Sequence, residues 1–495
     1  MIKYFLNIKE QQKLELFQYL LLSRNGYTRN ELVHLFNLNV TTLRRYLLEV
    51  EEDLTKVFDG TITLHLNDKG KINIESEVST GYATSTLKNY YIRQNSLYII
   101  LISLIKKPYS SVTELSMDLS VSEALVYKNL SKIKEMLDLF GAELTIEPNI
   151  RSNFGGNELG VRYFLYLIYW NLYDTLEYQI FTDSFPKEFT DTDFLLNSLD
   201  IKKELSHAQM IKLKIMSGII SYRIVYFNKY IEINSDIIQD LQFLYKKIPN
   251  LNLKLYNVSS EILETESIFF SYLVKGLIYD VDSFLDKEMI VTNYLNSDLL
   301  IAEEIKQLLE RLKEELGLIY SEQRYTETYY QTLLAFIYFK HIHFENDSLL
   351  TNPIQENINI HERNQKYQNM TTNFNRIADE LSFYKNISPI DKERMNLFLS
   401  IIYEINSQVK PVTVYVMLTS DMTVVQLIKS RLLKIFNYES IKFCESPEEA
   451  EVIITDTFEG SNDGKVFLFH SIHDEQTWKS LNEFISTILL NRIIN

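Results

Sequence analysis

The chain contains an internal repeat, since residues 31–54 and 114–137 align without a gap at an offset of 83 positions. In each copy a polar residue, Asn39 or Ser122, separates a short helical pattern from a longer one. Such a residue can cap the longer helix, because its side-chain oxygen accepts a backbone N–H bond. The longer pattern repeats apolar residues at spacings of 4, 3 and 4, which is one face of an α-helix. The repeat therefore predicts two helix-turn-helix units.

A β-hairpin is predicted after each copy of the repeat. After the first copy, apolar residues alternate over 62–66 and again over 72–74, on either side of a turn at 67–70. After the second copy, residues 144–146 and 150–151 flank Pro148 and Asn149. Hairpins in these places indicate wings, and helices predicted upstream at 11–22 and 97–105 complete two winged helix-turn-helix units.

The second helix of each unit would place its unburied face in the major groove of duplex DNA. Arginine pairs with guanine edges or phosphates, whereas lysine and hydroxyl groups mostly hold phosphates. The predicted DNA-binding residues are Thr41, Thr42, Arg44 and Arg45 in the first unit, and Tyr127, Lys128, Ser131 and Lys132 in the second. For each residue taken alone, an ordinary solvated helix face is the alternative.

Charge is distributed unevenly along the chain, whose net charge is −16. Residues 1–160 hold 18 Lys and Arg against 19 Asp and Glu, whereas residues 161–495 hold 32 against 47. A nearly neutral front and an acidic remainder suit DNA contact through one end only. An acidic protein without any polyanion partner would show the same balance.

Composition favours a mainly helical globular protein, because only 13 Gly and 8 Pro accompany a hydrophobic fraction of 46%. The single cysteine, Cys444, excludes an internal disulfide and fits a reducing compartment. The longest purely apolar stretch, 163–170, is far shorter than the roughly 20 residues of a membrane helix. We therefore expect a cytoplasmic protein with no membrane partner.

Five domains are predicted along the chain. Long amphipathic patterns rich in Tyr and Phe indicate two all-helical modules, and the aromatic residues are most simply core residues. After Pro411, strand patterns at 412–418, 440–443, 452–455 and 466–469 alternate with helical patterns at 422–436 and 477–495, which predicts a small α/β domain with a mostly parallel sheet. The predicted boundaries are 1–80 and 81–158 for the winged units, 159–280 and 281–407 for the helical modules, and 408–495 for the α/β domain.

Enzyme motifs are absent from the sequence. It contains no P-loop, no GxSxG, no HExxH and no paired-cysteine metal motif. His341 and His343 are two residues apart, so on a helix they point about 200° from each other and form a poor metal pair. We expect no catalytic activity, no cofactor and no metal.

The order of these parts resembles the Mga/AtxA family of global regulators of Gram-positive bacteria. Its most specific stretches are Val126–Leu130 and Gly155–Phe164, which look like the family's second helix-turn-helix, its wing and the entry to the first regulatory module. The resemblance implies that the helical modules are regulation domains, phosphorylated on histidines by phosphocarrier proteins of the sugar phosphotransferase system. It also implies that the tail resembles an enzyme IIB domain and promotes a homodimer. Members control many promoters, including those of virulence genes.

One departure from the family pattern concerns the tail. A working enzyme IIB domain has a nucleophilic cysteine in the loop after its first strand, and residues 418–422 contain none. The tail therefore resembles a phosphocarrier fold without its chemistry.

The histidines expected to accept phosphate are few. His207 stands where a helix is predicted to begin, with Ser206 as its cap, and a helix N-terminus favours an added phosphate. Lys203 is expected to add a contact to that phosphate. In the second module His341 is the first choice and His343 the second, and packing in an apolar helix is the alternative for either.

Two other functions remain open from the sequence. The first is an RNA-binding antiterminator with the same regulation domains, which would begin with a short all-β domain. The second is a phosphotransfer enzyme, against which the missing cysteine argues. The helical patterns of residues 11–54 favour the DNA-binding regulator.

Overall fold

The computed structural model describes residues 4–23, 25–66, 70–171, 191–232, 235–245, 258–278, 280–342, 365–407, 410–419, 422–457 and 465–494. The fold is mainly helical, with a small parallel sheet near the C-terminus. The chain divides into two compact units. The first holds the chain up to Glu303 and the segment that starts at Tyr330, and the second holds Glu304–Tyr329 and the C-terminal part. Among the described helices, none has the length and apolar character needed to cross a membrane.

The first copy of the repeat lies in three helices that precede an antiparallel hairpin. These elements are α1 (Ile8–Leu22), α2 (Arg29–Leu35), α3 (Val40–Phe58), β1 (Ile62–Leu66) and β2 (Ile72–Ser76). The side chain of Asn39 caps α3 by accepting the N–H of Thr42 at 2.7 Å, which confirms the predicted cap. The hairpin is tied to the loop before α2, because Tyr27 and Ile72 exchange two backbone hydrogen bonds of 3.0 and 2.8 Å.

The second copy follows the same plan after an additional helix. Its elements are α4 (Thr80–Gln94), α5 (Ser96–Lys106), α6 (Val112–Leu119), α7 (Glu123–Asp138), β3 (Ala142–Leu144) and β4 (Phe154–Gly156). Ser122 caps α7 through the N–H of Leu125, as predicted. Helix α4 was not anticipated from the sequence, and it packs against α1, α3 and α5.

The prediction for the second hairpin was wrong in its return strand. The expected strands at 144–146 and 150–151 are replaced by β3 and by β4, which begins only at Phe154. Pro148 has no N–H to donate, and Asn149 takes a left-handed conformation with φ of 65°. The chain therefore pairs again only from Asn153, whose carbonyl accepts the N–H of Thr145 at 2.9 Å and whose side chain closes the intervening loop.

The described residues between 158 and 406 are mainly helical. The first compact unit contains α8 (Glu158–Asn171), α9 (Thr192–Ser198), α10 (His207–Phe227), α11 (Ser235–Leu241), α12 (Ser260–Leu277) and α13 (Phe284–Leu295). Helices α14 (Leu300–Leu316) and α15 (Glu322–His341) each contribute residues to both units. The second unit contains α16 (Gln365–Ala378) and α17 (Pro389–Asn406). Their buried faces are largely Leu, Ile, Phe and Tyr, as the amphipathic patterns predicted.

The tail is a parallel sheet of four short strands with two helices. Its elements are β5 (Val412–Met417), α18 (Met422–Ile435), β6 (Ile441–Phe443), β7 (Val452–Thr455), β8 (Val466–Leu468) and α19 (Glu475–Ile494). The strand order is β6-β5-β7-β8, and all three pairings are parallel. Apolar residues of β5 and β7 pack with Ile428, Leu432, Leu481 and Ile485 of the helices. The predicted strands and helices of this segment are confirmed.

Candidate nucleic-acid interface

The turn between the paired helices is the same in both copies of the repeat. The N–H of Leu38 donates to the carbonyl of Val33 at 3.1 Å, and that of Val121 donates to the carbonyl of Ser116 at 3.0 Å. These two bonds join positions that correspond at the offset of 83. The residue before each donor, Asn37 or Ser120, is left-handed, with φ of 47° and 54°. The sequence repeat is therefore also a repeat of backbone geometry.

Helix α3 buries one face and presents the predicted binding residues on the other. Leu43, Leu47, Val50 and Leu54 are buried, and they are the stripe that the sequence predicted. Thr41, Arg44 and Arg45 are exposed, whereas Thr42 is half-buried beside the capping Asn39. The guanidinium of Arg45 lies 5.5 Å from the ring centre of Tyr46, and Arg44 makes no ion pair with another described residue.

Helix α7 has the same division between a buried and an exposed face. Val126, Leu130, Ile133 and Leu137 are buried. The four predicted binding residues, Tyr127, Lys128, Ser131 and Lys132, are all exposed. Neither lysine makes an ion pair with a described residue, so both ammonium groups are available to an anion.

The two exposed faces differ in chemistry. At the offset of 83, Arg44 corresponds to Tyr127, so a guanidinium group in one copy is replaced by an aromatic ring in the other. Glu49 corresponds to Lys132 in the same way, and Glu49 is bound by Lys9 at 2.6 Å. The first face therefore offers guanidinium groups near its start, and the second offers a ring and two ammonium groups.

A buried ionic contact supports α3 from behind. The ammonium of Lys13 on α1 lies 2.6 Å from the carboxylate of Asp53 on α3, and the hydroxyl of Tyr91 on α4 donates to that carboxylate at 2.8 Å. Burial and the bonded carboxylate raise the pKa of Tyr91 well above its usual value, so the phenol stays protonated. Sequence reasoning missed this contact, because its members lie on three different helices.

A second buried charge cluster lies between the second hairpin and the helices that follow. Its members are Glu158, Arg162, Arg223 and Glu266, each at most 9% exposed. Burial alone would raise the pKa of Glu158, but Arg223 and Arg162 hold it below its ordinary value. The only signal in the sequence was a charged pair four residues apart, Glu158 and Arg162, in an otherwise apolar helix.

The predicted phosphate acceptors lie in different surroundings. His207 is exposed at the first position of α10, and Ser206 caps this helix in a capping box with Gln209. The ammonium of Lys203, which is expected to contact a phosphate on His207, pairs with the carboxylate of Asp280 in the unphosphorylated chain. The side chain of His341 is 5% exposed. His343 lies outside the described residues.

The loop after the first strand of the tail binds a carboxylate of the protein itself. The N–H of Thr419 donates to Asp456 at 2.9 and 3.1 Å, and its hydroxyl donates at 2.9 Å. Cys444 follows β6, and burial raises the pKa of its thiol. Within the described ranges, no group of His, Cys, Asp and Glu side chains has a geometry that could hold a metal ion.

Residues 81–169 match the model of a protein family described as the Mga helix-turn-helix domain. The matched segment starts in α4, contains α7 and the second hairpin, and ends in α8. No curated protein matches the chain. A Mga helix-turn-helix domain suggests a DNA-binding transcription regulator, and the Mga family is one of regulators rather than enzymes.

Proposed function

Because the match at residues 81–169 supports the Mga/AtxA family of regulators, we propose that this protein reads duplex DNA through α7 and α3. The observation that carries the proposal is the exposed face of α7, the second helix of the helix-turn-helix pair α6 and α7 in the matched segment, which holds Tyr127, Lys128, Ser131 and Lys132. A helix fits the major groove of duplex DNA, and its lysine and hydroxyl groups can bind the backbone phosphates that border the groove. Residues 1–80 and 81–158 are then two winged helix-turn-helix units.

The two units have different tasks in this proposal. Arg44 and Arg45 of α3 suit bidentate pairing with guanine, whereas Lys128 and Lys132 of α7 suit phosphates. The ring of Tyr127, which is 60% exposed, suits apolar contact with a thymine methyl group. A site read by both units would therefore contain two different sequence elements.

The rest of the chain regulates DNA binding in this proposal. Residues 159–280 and 281–407 are two regulation domains, which phosphocarrier proteins of the sugar phosphotransferase system phosphorylate on His207, and on His341 or His343. A phosphate adds roughly −2 charge, which can shift contacts between packed helices. Residues 408–495 are an enzyme-IIB-like domain that promotes a homodimer, and pairing two reading units strengthens binding through avidity.

Footprinting of the full-length protein on genomic DNA tests the proposed function. We expect protected duplex sites whose affinity falls steeply with salt, because bound phosphates release counterions. The double variant Arg44→Ala and Arg45→Ala should weaken binding to these sites. Lys56→Ala, on the same helix, is the matched control. Losing a bidentate contact between an arginine and a guanine costs about 1–3 kcal/mol. Protection that is absent, or equal on every sequence and insensitive to salt, would contradict the proposal.

The alternative RNA-binding antiterminator receives no support from the front of the chain. Such a protein would begin with an all-β domain, whereas α1, α2 and α3 precede the first strand. A filter-binding comparison of duplex DNA with single-stranded RNA of the same sequence separates the two functions.

A further inference from the structure

We propose that Arg151 in the second hairpin is a further contact to a DNA backbone phosphate, and that Arg223 of α10 is the residue that positions it. The second hairpin is the segment from β3 to β4, and the loop between these strands is called here the Arg151 loop (residues 145–153). The proposal rests on the proposed function, because it adds a contact to the same DNA-binding unit. It also links that unit to the helix that begins at His207.

Arg151 is a cation without a protein partner at an exposed position. It makes no ion pair with any described residue, and it is the only Lys or Arg between residues 139 and 157. Three residues separate the end of α7 from the start of the hairpin, and β3 packs against α7. An arginine there is within the same unit as Lys128 and Lys132, and its fork suits a phosphate.

The residue two positions after Arg151 fixes the Arg151 loop to the body of the unit. Asn153 is 1% exposed, and its amide donates to the carbonyls of Tyr109 and Thr145 at 3.0 and 2.8 Å. Its side-chain oxygen accepts the N–H of Tyr109 at 2.8 Å. All three bonds are to the backbone, and the carbonyl of Asn153 also accepts the N–H of Thr145 at 2.9 Å, so Asn153 closes the base of the Arg151 loop.

The residue next to Arg151 is held by α10. One terminal nitrogen of Arg223 donates to the hydroxyl of Ser152 at 2.9 Å, and the other donates to the carbonyl of Phe154 at 3.3 Å. Arg223 is 1% exposed, so this contact lies beneath the loop and not on its surface. A shift of α10 along its axis would therefore be transmitted to Ser152 and to the backbone beside Arg151.

The guanidinium of Arg223 is itself fixed by a carboxylate. Its Nε and a terminal nitrogen donate to the two oxygens of Glu158 at 3.0 and 2.6 Å. A planar fork can serve Glu158 and the Arg151 loop at once, whereas a lysine ammonium is a single point of charge. The position thus requires arginine for the loop, although any cation could neutralise Glu158.

The same charge cluster contains a matched control. Arg162 donates to Glu158 at 2.9 Å and to Glu266 at 2.5 and 3.0 Å, and to the carbonyl of Lys229 at 3.1 Å. These partners are on helices and on the segment after α10, and none belongs to the Arg151 loop. Arg162→Lys therefore disturbs the buried charges as Arg223→Lys does, but leaves the loop contacts in place.

The experiment measures DNA affinity of the full-length protein as a function of salt, with thermal midpoints recorded in parallel. We expect Arg151→Ala to weaken binding roughly tenfold, because a hydrogen bond to a charged group is lost. The slope of log affinity against log salt should fall by about 0.9, which is the value of one phosphate contact. Arg223→Lys and Ser152→Ala should each reduce the slope in the same direction, and Arg223→Lys should add little to Arg151→Ala. Arg162→Lys should lower the thermal midpoint while it leaves the slope unchanged.

Three results would overturn the proposal. An unchanged slope for Arg151→Ala excludes the phosphate contact. A reduced slope for Arg151→Ala, with wild-type slopes for both Arg223→Lys and Ser152→Ala, excludes the positioning role. An equal loss of slope in Arg162→Lys shows that the whole cluster acts through stability alone. Wild-type protein that binds no duplex DNA would instead overturn the proposed function itself.

Discussion

The imidazole Nε2 of His341 lies 2.7 Å from the carboxylate Oδ2 of Asp240, and the ammonium of Lys340 reaches the same oxygen at 2.7 Å. Asp240 is on α11 and is 4% exposed, whereas Lys340 and His341 are the last two residues of α15. Burial alone would raise the pKa of Asp240, but the bonds from His341 and Lys340 hold it below its ordinary value. The contact therefore fastens the end of α15 to α11 only while the carboxylate is charged.

Removing the charge of Asp240 should destabilise the protein in a pH-dependent way. A carboxyl whose pKa is lowered by folding stabilises the fold above its ordinary pKa of about 3.9, and this contribution is lost as the pH falls through the folded value. We expect Asp240→Asn to lose about 1–3 kcal/mol at pH 7, since the Lys340 ammonium and the His341 imidazole lose their charged acceptor. At pH 3, below the ordinary pKa of an aspartate, the difference from wild type should be smaller. Urea denaturation at pH 7, 5 and 3 measures both values.

The matched control for that variant is Asp236→Asn, which lies one turn earlier on the same helix and is exposed. Its effect should stay within about 0.5 kcal/mol at every pH, as for most surface substitutions. A destabilisation by Asp240→Asn that is the same at pH 3 and pH 7 would show that the charge is not what matters.

Phosphate from the phosphotransferase system should reach His207 before His341. His207 is exposed at the N-terminus of α10, whereas the Nε2 of His341 is engaged with Asp240. Labelled phosphoenolpyruvate with purified phosphotransferase components should therefore label wild type and His341→Ala about equally, and His207→Ala much less. In Asp240→Asn, His341 should take up label, because its imidazole is released. Full labelling of His207→Ala would contradict this order.

Replacing Gly160 should disrupt the joint between α7 and α8. A Cβ atom at this position would lie 1.8 Å from the carbonyl oxygen of Phe140, which is backbone and cannot rotate away. We expect Gly160→Ala to cost about 3 kcal/mol or to prevent folding, because overpacking forces the backbone to move. Gly81→Ala is the control, since its Cβ meets nothing within 4 Å and should be neutral or slightly stabilising. Similar thermal midpoints for both variants would contradict the account of this joint.

Loss of the tail should shift the protein toward monomer. The strands and helices from β5 to α19 form their own apolar core, and Arg492 near the end of α19 binds Glu451 and the carbonyl of Lys410. Truncation after residue 408 therefore removes one complete folding element. We expect sedimentation velocity to show a smaller dimer fraction at equal concentration. If the truncated protein dimerises as tightly as the full chain, the interface lies elsewhere.

Features with a local cause were predictable from the sequence. Asn39 and Ser122 act as caps because a polar side chain beside a helix start bonds its own neighbours, and no distant residue is needed. The buried stripes of α3 and α7 follow from helical periodicity alone. The tail strands Val412–Met417 and Val452–Thr455 are short apolar runs between helices, and this alternation indicated a parallel sheet.

Features that join distant parts of the chain were not predictable. The loop before the return strand of the second hairpin is fixed by bonds between Asn153 and Tyr109, which is 44 positions away. Arg223 meets Glu158 across 65 positions, and nothing near either residue in the sequence indicates the partner. Exposure of Arg44 or Lys128 followed from periodicity, but periodicity cannot tell a binding face from a solvated one.

The most direct test of DNA reading by α7 is the salt dependence of binding for Lys128→Ala with Lys132→Ala, measured on a footprinted duplex. Lys134→Ala is the matched control, because Lys134 is exposed on the same helix but lies about 120° from Lys128 and 160° from Lys132. We expect the double variant to reduce the slope of log affinity against log salt by about 1.8, at roughly 0.9 for each lost phosphate contact, while Lys134→Ala keeps the wild-type slope. A double variant with wild-type affinity and slope would show that α7 does not bind DNA through Lys128 and Lys132.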